Sequence, residues 1–136
     1  MSDTTLKLAL DDTGHQIRQA VAGLDLDAKP IEAMMSGRMT LAHLYECYIA
    51  CRAELNGEKH KWGEYVVPQE VVDDPMAHVF ALRDEVIGEI HSAGTPEATS
   101  NALSYIALHD AYHVGQLCSL RLTLDPEWNA YSIYNH

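Results

Sequence analysis

The sequence predicts an all-α protein, a four-helix bundle with a long connection between its second and third helices. Three observations lead there. Apolar residues recur at three- and four-residue spacing over long stretches. Two of these stretches open on a capping residue followed by proline, "DP" at 74–75 and "TP" at 95–96. Third, the only candidate extended segment, "EYVVP", has no second segment to pair with. At 136 residues with 47% apolar side chains, the chain is long enough for one buried core, so residues 1–136 are read as a single domain.

The first helix runs from about Thr4 to Ala22, with Leu6, Leu10, Ile17 and Val21 along it and Gly23 as its stop. The second follows "DLDAKP" and runs to Leu55, where "NG" ends it; Leu41, Leu44, Tyr48, Cys51 and Leu55 form one face. The third opens at Asp74-Pro75 and continues to Gly94. The fourth opens at Thr95-Pro96 and stops at Asp125-Pro126. The tail "EWNAYSIYNH" is aromatic and is expected to pack on the bundle or on a second subunit.

Charge narrows the range of partners. The formal net charge is −11, from 20 acidic and 9 basic residues, and the basic ones are scattered. Nucleic acid and anionic membrane surfaces both need a basic patch, so neither is expected. No apolar run approaches the roughly 20 residues of a membrane span, and the acidic start "MSDTTLKLALDD" lacks a leader pattern. A cytoplasmic protein is expected, with Cys47, Cys51 and Cys118 as reduced thiols.

Eight histidines stand in the chain. His60, in a polar loop, and His136, at the end, are read as solvated; His15, His78 and His91 are read as surface or satisfied-core residues. His109 and His113 differ, because in "HDAYHVGQL" they lie four apart and so face the same way. Stepping about 100° per residue from Leu103, His113 falls on the edge of the arc of Leu103, Ile106, Val114 and Leu117. By the same geometry His109 lies about 40° further round, and Gln116 continues that edge. Such a pair is either two packed imidazoles or two nitrogen ligands for a divalent metal. His43, in the apolar "LAHLYECY" of helix two, must find a partner if buried, and is a third candidate ligand. Cys47, one turn later, is either a small buried hydrophobe or a soft alternative ligand. Tyr45 is a core residue or a pocket wall, and Tyr112 points away from the arc.

Other chemistries fit less well. "HDAYH" has aspartate where zinc proteases of the HExxH type need glutamate, and Asp110 points into the apolar arc. That residue is read instead as supporting the site or pairing with a cation such as Arg121. Di-iron carboxylate bundles need Glu-x-x-His on two helices, and no glutamate here stands three residues before a histidine. No nucleophilic serine or cysteine arrangement is recognisable.

The histidine within "LAHLYECY" and the last helix "HDAYHVGQLCSLR" together resemble the DinB-like superfamily of four-helix bundles, through His43, His109, Asp110, His113, Gly115, Gln116 and Arg121. The resemblance implies that His43, His109 and His113 bind one divalent metal ion, either zinc, nickel or iron. It implies a cytoplasmic homodimer, and an enzyme that joins or isomerises small electrophilic substrates using a low-molecular-weight thiol such as bacillithiol, mycothiol or glutathione. Asp110, Gln116, Tyr45 and Cys47 are the expected supporting or pocket residues. The competing expectation is a non-catalytic metal-binding bundle that acts through its dimer surface. An open coordination position facing a cleft would mark the enzyme; a fourth position closed by Cys47 or a carboxylate would mark the other.

Overall fold

In the computed structural model, which describes residues 3–135, the caps set the helix boundaries. Helix α1 spans Asp3–Val21. Helix α2 spans Gly37–Leu55, later than the sequence pattern suggests, because the Ser36 side chain accepts a bond from the Met39 N–H at 3.2 Å and fixes the start there. Gly37 sits where a Cβ would come within 3.1 and 3.2 Å of Leu24 and Leu26, so the preceding loop folds closely over the helix start.

A short helix not foreseen from the sequence, α3, occupies Gln69–Asp73 within the long connection and buries Val71. The adjacent "EYVV" segment forms no strand, and the described residues contain none. Helix α4 spans Pro75–Ala93, capped by Asp74 and ended by Gly94 in a left-handed conformation (φ 61°) that glycine adopts without strain.

The last predicted helix is one continuous helical run in three parts: α5 (Pro96–Ala102), a π-helical turn (Leu103–Ala107) and α6 (Leu108–Leu124). In the π turn the Leu108 N–H bonds to the Leu103 carbonyl five residues back. The extra residue shifts the phase, so Leu103 is only partly buried while Ile106, Val114 and Leu117 stay in the core.

Helix α1 packs along α6, and α2 packs along α4 while also meeting α5 and α6. Leu10 and Ile17 of α1, Leu41, Leu44 and Tyr48 of α2, Val79 and Val86 of α4, and Val114 and Leu117 of α6 meet in one continuous core. The tail folds back on α1 as a 3₁₀ turn, Ala130–Tyr134, burying Ile133, and the Arg121 guanidinium lies 4.6 Å from the Trp128 ring centre. The tail carbonyl of Asn135 bonds to His15 Nε2. His136 lies outside the described residues. No helix among those residues is long and apolar enough to cross a membrane.

Candidate metal centre

Helices α2 and α6 lie side by side and bring four side chains together. His43 and, one turn later, Cys47 come from α2; His109 and His113 come from α6. The ring centres of the three histidines are 4.8 Å (His43–His113), 5.2 Å (His109–His113) and 5.5 Å (His43–His109) apart. Cys47 Sγ stands 3.5 Å from His43 Nε2 and 3.6 Å from His109 Nε2. Ligand atoms of His43, Cys47 and His109 all lie within 4.8 Å of one another, and the His113 ring sits beside that set.

His113 carries the clearest chemical signal. It is 4% exposed, and its Nε2 is buried with no hydrogen-bond partner. Its Nδ1 is 2.7 Å from Gln116 Oε1. An amide oxygen only accepts, so Nδ1 carries the proton and Nε2 of the neutral ring keeps a free lone pair. Leaving such an atom buried and unpaired costs about 1–3 kcal/mol. A ligand histidine has this arrangement: one nitrogen fixed by a neighbour, the other directed at the ion. Gln116 is held in turn, its Nε2 donating to the Tyr112 hydroxyl at 3.2 Å. Tyr112, set aside on the sequence pattern, therefore touches the centre through Gln116, and its ring lies edge-on to His113 at 5.1 Å.

The electrostatics suit a cation. Burial, first, lowers the pKa of both His43 and His113, so the neutral, ligating form prevails at pH 7. Burial likewise pushes the Cys47 thiol up to about 12, with Glu46 and Asp110 adding to it, so without an ion Cys47 is an uncharged thiol. Imidazole nitrogens with one sulfur suit zinc, and imidazole serves nickel and iron as well.

Asp110 does not belong to this cluster. It is fully buried, accepts from the Tyr48 hydroxyl at 2.7 Å, and pairs with Arg83 Nε and Nη2 at 3.1 and 3.0 Å. The Thr13 hydroxyl lies 3.2 Å away. Burial raises the carboxyl above its ordinary value, and Arg83 opposes that shift. The sequence-based pairing with Arg121 is thus corrected: Arg121 donates to the Ala20 carbonyl at 2.9 Å and lies over Trp128. The network ties α6 to α1, α2 and α4, and so fixes the level at which the flanking His109 and His113 meet α2.

Tyr45 is partly buried and packs against the core. His60 is corrected as well. Its side chain is 6% exposed and lies 2.6 Å from Glu46, pinning the long connection onto α2 one residue before Cys47. Sequence reasoning missed Arg83, although a signal existed: it shares a face with Val79, Val86 and Ile90, where an unpaired charge would not be tolerated. Comparison with protein-family models, curated proteins and solved structures finds no match for this chain, so its functional reading rests on its own residues.

Proposed function

We propose that the chain is a metal-dependent enzyme of the DinB-like type, a four-helix bundle holding one divalent ion on His43, His109 and His113. In this reading it acts on a small electrophilic molecule, as a transferase using a low-molecular-weight thiol or as a hydrolase, and works as a cytoplasmic homodimer. One observation carries the metal: the buried, unpartnered Nε2 of His113, set by Gln116 beside two further imidazoles. When bound, such an ion supplies the positive charge that makes a thiol or a water nucleophilic at neutral pH. The chain's own part is to hold the three rings in place. Gln116 fixes the tautomer of His113, and the Asp110–Arg83 pair fixes α6 against its neighbours.

The position of Cys47 favours a second reading. A sulfur 3.5–3.6 Å from two of the imidazole nitrogens could close the fourth position and leave a metal-holding protein with no catalytic opening. Metal content by mass spectrometry decides between the readings. Tag-free protein should carry one ion per chain, lost in His43→Ala and His109→Ala. Retention in Cys47→Ala supports the open, enzymatic site and justifies screening thiols against electrophiles. Loss in Cys47→Ala as complete as in the histidine variants supports the closed site. Absence of any ion after incubation with zinc, nickel and iron overturns both.

A further inference from the structure

A cavity of about 690 Å³ lies between the outer face of α6 and the loop that precedes α2. Ligand sites for small molecules span roughly 300–1,000 Å³. Its walls include Met34 and Met35 from the loop, Thr40 from α2, and Tyr112, Gly115 and Gln116 from α6. None of its lining residues is charged, in a chain where 21% of residues are. The methionines give an apolar, deformable wall. Gly115 leaves its part of the wall open, since a Cβ there would meet nothing within 4 Å.

We infer that this cavity is a binding site for an uncharged, largely apolar small molecule bearing one hydrogen-bond acceptor. The absence of charge in the walls disfavours ions of either sign, because a bound charge would lose water and gain no counter-charge. The −11 field of the chain disfavours anions further. The polar handle is the Tyr112 hydroxyl. Its oxygen accepts from Gln116 Nε2 at 3.2 Å, and its own O–H remains to donate to a ligand carbonyl. Gln116 also accepts from His113 Nδ1 at 2.7 Å, so the Tyr112 hydroxyl is two hydrogen bonds from the histidine cluster. Reading the ligand as the substrate of the metal centre rests on the function proposed above; the cavity and its chemistry do not.

Nile red, a neutral apolar dye with a carbonyl acceptor, is the probe, and the anionic dye anilinonaphthalene sulfonate is the comparison. Titration of the full chain, as purified and after chelator treatment, should show saturable binding of one Nile red per chain, independent of protein concentration, with the anionic dye much weaker. Gly115→Leu projects a side chain into the cavity and should weaken Nile red by about tenfold or more with unchanged metal content. Should Gly115→Leu fail to fold by circular dichroism, Ser119→Leu on the same wall carries the test. Binding that does not saturate, that survives either folded filling variant, or that falls as protein concentration rises because a second copy covers the groove overturns the proposal. Saturable binding lost in a filled variant upholds the cavity even if the wild type holds no metal, so the two readings fail separately.

Discussion

Replacing Gly14 with alanine should destabilise this protein, against the usual rule for a helix interior. Inside α1 the exchange ordinarily gains about 1 kcal/mol, because alanine has less backbone freedom to lose. Here the new Cβ would lie 2.4 Å from Arg83 Nη1 and 2.8 Å from its Cζ. The guanidinium cannot retreat cheaply. It is held by Asp110 at 3.0 and 3.1 Å, by the Leu10 carbonyl at 2.5 Å and by Thr13 at 3.1 Å. Displacing it breaks a buried pair, which costs about 3–5 kcal/mol when one partner is lost. Subtracting the gain in helix propensity leaves a net loss of about 2–4 kcal/mol. At roughly 3 °C per kcal/mol for a chain of this size, the thermal midpoint falls by about 6–12 °C. Urea unfolding followed by circular dichroism gives the free energy directly. In an Arg83→Leu background the same Gly14→Ala change should cost nothing and recover its usual gain. A Gly14→Ala protein as stable as the wild type would refute the account of how Arg83 is seated.

Three further outcomes follow from the histidine cluster. Gln116→Leu frees the His113 ring and should lower metal affinity by about 10–100-fold, read by competition with a chromogenic chelator, with little change in folding because Gln116 is exposed. His113→Leu should abolish stoichiometric metal yet make the ion-free chain more stable by about 1 kcal/mol, since it removes a buried unpaired nitrogen; marked destabilisation in chemical denaturation would count against a ligand role. The pH response has a defined sign. His43 and His113 have folded-state values below the ordinary 6.5, chiefly through burial, so the unfolded chain takes up protons first as pH falls. Their contribution to stability is therefore present above about pH 6.5 and is lost as pH falls below it. The ion-free wild type should lose more of its thermal midpoint between pH 7.5 and 5.5 than a His43→Leu/His113→Leu double variant.

Much of the helical framework was legible because its signals are local. Asp74-Pro75, Gly94 and Thr95-Pro96 set α4 and the start of α5 by cap chemistry that needs no tertiary partner. The start of α2 was misplaced because "IEAMM" has good helix formers that masked the local Ser36 cap, while the close contacts of Gly37 with Leu24 and Leu26 that fold the loop back are tertiary. Helix α3 was missed because five residues are too few for a periodic signal. In the candidate site, the four-residue spacing of His109 and His113 put both on one interior flank of the helix, and the apolar context of His43 marked it as needing a partner. What spacing could not supply was the identity of partners across helices. Arg83 rather than Arg121 reaches Asp110, and Glu46 rather than water meets His60, because these pairs join residues 27 and 14 positions apart.

The π turn at Leu103–Ala107 acts as a reading-frame insertion within the helix. Deleting one residue there would leave an ordinary helix with the phase of α6 kept, whereas relaxing the turn to an ordinary helix with all its residues would turn everything after it by about 100° relative to α5. Asp110 would leave Arg83, Val114 and Leu117 would leave the core, and His109 and His113 would swing away from His43 in the same motion. Tolerance to length change should therefore differ sharply along this one run. The turn before Leu108 can lose the one residue it absorbs, whereas a residue lost between Leu108 and Leu117 breaks the register of the core.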